Sequence, residues 1–156
     1  MTDRSVFSDD EWKALTEAPL LVSLAMVAVG EHGPISMVKE AAASARTVTH
    51  PPACGPADEL ITEIAREAES REARHDVRQH RGKSLDEVVE GAMADLCAAA
   101  TALRKLPPDE AAQIGNWFVD IAKAVAAAAK TVTPAEQATI DRIAELFGVA
   151  SDRPSA

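Results

Sequence analysis

The 156-residue chain is long enough for one domain with a sizeable core, and that core must be mainly aliphatic because only 3% of the residues are aromatic. Its formal net charge of −9 at pH 7 gives a surface that repels phosphate backbones, so the composition argues against general binding of nucleic acid. Abundant alanine and the scarcity of alternating β-branched runs favour an all-α fold.

Two helices are predicted in the first thirty residues. Ser8 and Glu11 form a capping box, which predicts a short helix over 9–17. Pro19 is suited to the first position of a second helix, over 20–29. That second helix is apolar on almost every side, and a helix without a polar face is a buried one. We therefore expect 20–29 to be the central element of the fold.

Five more helices are predicted further along the chain, which gives a compact bundle of about seven. They cover 35–46, 57–80, 85–106, 109–130 and 134–147. Two of them begin at further capping boxes, formed by Ser84 with Glu87 and by Thr133 with Glu136. Prolines and glycine at 47–58 predict the longest loop.

The pattern predicts a single helical domain over 1–148 and a flexible tail at 149–156. The apolar run at 20–29 is too short to span a bilayer. The acidic flank at 1–18 is unlike that of a signal peptide, which needs positive charge. The sequence therefore predicts a cytoplasmic protein without a membrane span.

An internal repeat and a family resemblance involve the same two parts of the chain. Residues 22–41 align without gaps on 119–138, and both read as buried helix, short turn, hydroxyl N-cap and new helix. Two pseudo-repeated helical hairpins or two ordinary hairpins give this pattern. The stretch TVTPAEQATIDRIAELFGV resembles the end of the tellurite-resistance TerB family, whose turns read Ala-Asp-Gly-x-Ile-Ser-x-x-Glu. The resemblance covers 22–46 and 119–149.

The TerB resemblance implies an all-helical fold and a role in tellurite resistance or stress response in a bacterium. In that family the Asp and Glu of the repeated turns are thought to hold a metal ion. At the matching positions this chain has Ala129, Lys130 and Glu136 in one copy, and His32 and Lys39 in the other. A hard cation needs six or more oxygen ligands. We therefore expect the metal site to be lost and Glu136 to have a structural role, closing the capping box with Thr133.

A basic segment interrupts the acidic chain at 66–83. It carries six bases and four acids, a net +2, which leaves −11 for the rest of the chain. Four arginines, spaced so that they share one predicted helix face, form what we call the arginine row: Arg71, Arg74, Arg78 and Arg81. Arginine binds carboxylates bidentately, so the row is a candidate docking face for an acidic protein surface or for a second copy of the chain. A solvated helix with local ion pairs such as Glu67–Arg71 explains the same pattern.

One cluster in this segment could supply metal ligands. Glu72 and His75 form a Glu-x-x-His motif, and Asp76 and His80 follow at helical spacing. Di-iron bundles use two such motifs and two further glutamates in a dry interior. Here there is one motif, flanked by arginines, so we expect a charged surface, no metal and no enzyme built on this cluster.

The remaining candidates read as structural. His50 and Cys54 share a rigid loop, but a thiolate nucleophile needs a positioned base and an oxyanion site as well. Cys97 lies among alanines and is expected in the core. Trp117 is expected to be a core anchor, and Gly115 to permit close helix packing, which would offset its cost of about 1 kcal/mol in a helix.

Two functions follow from these patterns. The first is a non-enzymatic helical interaction or stress-response module, without a cofactor, that binds a protein partner or self-associates. The alternative is a bundle that binds a small molecule or metal between the 20–29 helix and the alanine-rich 119–130 helix, where small side chains leave space.

Overall fold

The computed structural model describes residues 2–30, 55–70, 84–128 and 131–150. These residues form one short 3-10 helix and five α-helices, and none of them is in a strand. The 3-10 helix spans Arg4–Val6, and the α-helices are α1 (Asp9–Val29), α2 (Asp58–Ala68), α3 (Leu85–Leu103), α4 (Pro108–Ala128) and α5 (Pro134–Phe147). The all-α prediction is confirmed, and the count of about seven helices is not. The predicted helix at 35–46 lies outside the described residues.

Helix α1 is the centre of the bundle. It packs most extensively against α3 and also contacts α4, α2 and α5. Its side chains Leu21, Val22 and Met26 are at most 1% exposed. All five α-helices contribute to one hydrophobic cluster. The predicted central position of the 20–29 segment is therefore confirmed.

The two helices predicted at 9–17 and 20–29 are one continuous helix, α1, with Pro19 in its interior. Proline removes one helical hydrogen bond and normally breaks or kinks a helix. Here a stripe of fully buried residues, including Leu15, Ala18 and Val22, continues across the proline. Packing of that stripe against the neighbouring helices outweighs the local cost, and the hydroxyl of Ser23 donates to the Pro19 carbonyl at 2.9 Å.

All three predicted capping boxes are confirmed. They join Ser8 to Glu11, Ser84 to Glu87 and Thr133 to Glu136. In each, the hydroxyl accepts from the backbone N–H of the glutamate, and the carboxylate accepts from the backbone N–H of the cap residue. Glu136 is only 1% exposed, and its carboxylate oxygen lies 3.1 Å from the Thr133 nitrogen, so the predicted structural role of Glu136 is confirmed.

Two predicted helices end earlier than expected. The helix predicted over 57–80 is described as α2 up to Ala68, where the N–H of Ser70 bonds back to Glu67; the segment beyond Ser70 lies outside the described residues. The helix predicted over 85–106 ends at Leu103. The next three N–H groups bond carbonyls three residues back rather than four, at 3.0–3.2 Å. Prolines at 107 and 108 disfavour α geometry before them, which accounts for this tighter turn.

The C-terminal end of α5 is built on Gly148, which has a left-handed backbone with φ of 67°. The N–H of Val149 bonds the carbonyl of Ala144 at 3.0 Å, and the N–H of Gly148 bonds that of Glu145 at 3.1 Å. This is a Schellman motif, in which glycine is favoured because it has no Cβ to clash. Val149 is half-buried. Residues 151–156 lie outside the described part, so the flexible tail at 149–156 stays a prediction.

The close contact of α4 with α5 depends on Gly115, because glycine has no side chain. A Cβ built on Gly115 would lie 3.1 Å from Phe147 Cβ and 3.1 Å from Val149 Cγ1. Next to it, Trp117 is 1% exposed, with its ring 5.3 Å from that of Phe118. The close packing predicted for Gly115 and the core position predicted for Trp117 are both confirmed.

Candidate functional site

The eight site residues predicted from sequence, those of the arginine row and the Glu72/His75/Asp76/His80 cluster, all fall within 71–83. That segment, like His50 and Cys54, lies outside the residues that the structure describes. Both sets therefore stay predictions. Within the described ranges, no three His, Cys, Asp or Glu side chains are grouped to hold a metal ion.

An open groove of about 500 Å³ runs between α3 and α5, and we call it the α3–α5 groove. It is lined by Glu90, Met93, Ala94, Cys97, Arg142, Glu145 and Leu146. Met93 and the half-buried Leu146 belong to the core cluster, so they present an apolar floor. The charged side chains stand at its rim, exposed to water. A surface of this kind suits contact with a polar side chain that has a long aliphatic stem.

The charges at the rim of the α3–α5 groove are unequally paired. Arg142 contacts Glu90 through two hydrogen bonds, Nη1 to Oε1 at 3.0 Å and Nη2 to Oε2 at 3.3 Å. Hydrogen bonding and the guanidinium charge hold the pKa of Glu90 below its ordinary value. The side chain of Glu145 is exposed and has no hydrogen-bond or ion-pair partner among the described residues.

The predicted core position of Cys97 is wrong. Its thiol is free and exposed at the edge of the α3–α5 groove. The buried positions of α3 include Leu96 and Ala99, each 0% exposed. Cys97 follows Leu96 and is rotated from it by about 100° around the helix, which turns it towards solvent.

A second groove, of about 340 Å³, follows the outer side of α2 and is lined by Asp58, Glu59, Thr62, Glu63 and Arg66. Glu59 and Glu63 are like charges one helical turn apart, an arrangement that costs a few tenths of a kcal/mol. Neither groove is lined by residues from 20–29 or 119–128, where the alternative function would place a ligand.

The amide of Gln113 on α4 positions the start of α2. Its oxygen accepts from the Ala57 N–H at 2.8 Å, and its nitrogen donates to Asp58 Oδ1 at 2.6 Å. Ala57 has no side chain that can cap the helix, so this contact from another helix satisfies part of the α2 terminus. Gly55 packs directly beside the amide.

Glu67 of α2 anchors the N-terminal segment. Its Oε2 accepts from the indole nitrogen of Trp12 at 2.8 Å, and its Oε1 lies 3.2 Å from Arg4 Nη1. The Arg4 guanidinium also stacks over the Trp12 ring, 5.2 Å from its centre. The sequence suggested Arg71 as a partner of Glu67. The observed partners are 55 and 63 residues away, and no local pattern points to them.

We expect Glu67→Ala to destabilise the protein because Trp12, which is 3% exposed, would lose the acceptor for its indole N–H. An unsatisfied buried donor costs about 1–3 kcal/mol. The matched control is Glu63→Ala, on the same helix but exposed. Thermal melting measures both, with a shift of about 2–4 °C per kcal/mol for a chain of this size. Equal melting temperatures for the two variants would contradict the anchoring role.

Helix α1 is long and apolar enough, by length and composition, to cross a membrane. The prediction of no membrane span used the length of the run at 20–29 alone, and α1 as a whole is long enough, so length does not exclude a span. Burial argues against a span instead, because 56% of the most apolar window of α1 is buried inside the bundle. A core helix of a soluble protein passes the same length test, and one such helix is weak evidence for a span. The cytoplasmic location stays a prediction.

No protein-family model, curated protein or solved structure gives a significant match to this chain. The resemblance to TerB proteins thus rests on the residues named above and stays a prediction.

Proposed function

We propose that this protein is a non-enzymatic helical interaction module that binds an acidic protein surface, or a second copy of itself, through the arginine row. The observation that carries the proposal is the distribution of charge. The described residues contain twenty acidic and seven basic side chains, whereas 71–83 holds five bases and two acids. Opposite fields of this kind on one chain favour oriented encounter with a complementary surface.

Most of the basic side chains within the described residues already pair with carboxylates. Four of them form ion pairs with carboxylates: Arg4, Lys13, Lys105 and Arg142. Lys105, for example, lies 2.6 Å from Glu11 and lowers the pKa of that carboxyl, together with the Ser8 cap. The helices thus present an excess of acid. The arginine row concentrates positive charge that can bind a carboxylate surface. Guanidinium groups bind carboxylates with two parallel hydrogen bonds.

The biological setting is proposed from the TerB resemblance alone, as tellurite resistance or general stress response in a bacterium. The interaction itself is tested without that assumption. The alternative, a ligand between 20–29 and 119–130, has less support because Val22, Ala25, Ala122 and Val125 in those segments are packed at 0–1% exposure.

The test is affinity capture from source cells with quantitative mass spectrometry. We expect Arg74→Glu/Arg78→Glu to reduce recovery of a specific partner by about tenfold or more, a loss of about 1.4 kcal/mol. Helix content should be unchanged. The matched control is Arg66→Glu/Arg104→Glu, which changes the net charge by the same amount. Both positions are exposed, Arg66 on α2 and Arg104 at the end of α3. Identical capture by both variants and the unmodified chain would refute the proposal.

A further inference from the structure

We propose that the α3–α5 groove is the surface on which the arginine row of a second copy docks, so that two copies form a reciprocal dimer. This inference rests on the proposed function and names its partner. Each copy carries both halves of the contact, an acidic groove and a basic row. A two-fold arrangement uses each half once and closes the assembly at two chains.

The groove has the chemistry that an incoming arginine needs. Glu145 supplies an exposed carboxylate without a partner among the described residues. Met93 and Leu146 supply an apolar floor on which the three-carbon stem of an arginine can pack while its guanidinium stays at the rim. The bidentate pair of Arg142 with Glu90 shows that a guanidinium fits the geometry of this rim.

The surroundings of the groove extend the complementarity. Outside the core, helices α3 and α5 carry one base, Arg142, and six acids: Asp86, Glu87, Glu90, Asp95, Asp141 and Glu145. Of these acids, Glu90 and Glu145 line the groove. The net negative charge of the two helices favours the approach of an arginine-rich segment. The Arg142–Glu90 pair is exposed at both ends, so water screens it and an incoming guanidinium can share its carboxylate at little cost.

Sedimentation velocity of the full chain over a range of concentrations tests this dimer. We expect dimers at about 0.05 M salt that dissociate at about 0.5 M, because exposed charges are screened at the higher concentration. Glu90→Lys/Glu145→Lys should weaken the dimer by at least about tenfold, and the milder Glu145→Gln by less. The control Glu59→Lys/Glu63→Lys, at the groove on α2, should leave the dimer intact.

A charge swap completes the experiment. Combining Glu90→Lys/Glu145→Lys with Arg74→Glu/Arg78→Glu in one chain should restore part of the lost dimer affinity, since the charges at these four positions are reversed while Arg71, Arg81 and Arg142 keep theirs. A chain that stays monomeric at low salt, or a dimer indifferent to the groove variant, overturns the inference. If capture of another protein still depends on the arginine row, the proposed function survives that result. If capture is also unaffected by the arginine-row variant, both proposals fail.

Discussion

Leu21→Asp is expected to unfold the protein. Leu21 is 1% exposed and lies in α1, which touches every other α-helix of the described residues. The substitution removes a packed leucine, which costs about 2–5 kcal/mol, and places a carboxylate where it has no water. Domains of this size are stable by about 5–15 kcal/mol, so the combined cost removes most or all of the stability. Circular dichroism and thermal melting measure the loss.

Leu24→Asp is the matched control on the same helix. The apolar pattern of 20–29 marks Leu24 as buried too, but the structure places it on a half-buried side of α1. Its new carboxylate stays in reach of water, so we expect a folded protein with a lower melting temperature. A Leu21→Asp variant that melts like the unmodified chain would refute the central position of α1.

Gly115→Leu is expected to separate α4 from α5. The first added atom would already lie 3.1 Å from Phe147 and Val149, and a whole isobutyl group cannot fit. Overpacking of this kind costs about 1–3 kcal/mol or more, against a gain of about 1 kcal/mol in helix propensity. We therefore expect a net loss of stability by chemical denaturation and faster hydrogen exchange in α5.

The neighbouring Asn116→Leu separates the steric effect from helix propensity. Asn116 is exposed on the same helix, so leucine there gains propensity without a clash. Its stability should match or slightly exceed that of the unmodified chain. If Gly115→Leu were equally stable, the close approach of α4 and α5 at Gly115 would be wrong.

Local signals in this sequence predict helix ends well. Capping boxes such as Thr133 with Glu136, and the stop at Gly148, depend on residues within one helical turn, so the sequence contains the whole interaction. The all-α class follows from the same signals summed along the chain. The helix start predicted at Pro19 is the local signal that the structure does not follow. Pro19 is a valid local start signal, and continuous burial on both sides of it overrides that signal.

Side-chain direction was harder to predict where the sequence has few polar residues. Alanine occupies exposed, buried and half-buried positions of α3 at 98–100, so alanine neighbours do not reveal which way Cys97 points. The candidate groove was missed for this reason, together with the separation of its two helices in sequence. Arg142 and Glu90 are 52 residues apart and meet only because α3 and α5 pack together.

The most direct test of a non-enzymatic module is native mass spectrometry of the purified protein, with elemental analysis of the same sample. The account predicts two chains of 16.5 kDa each with no added mass and no stoichiometric metal. A metal or small molecule bound at one equivalent per chain would contradict it, and would direct attention to the Glu72/His75 cluster or to the space between 20–29 and 119–130.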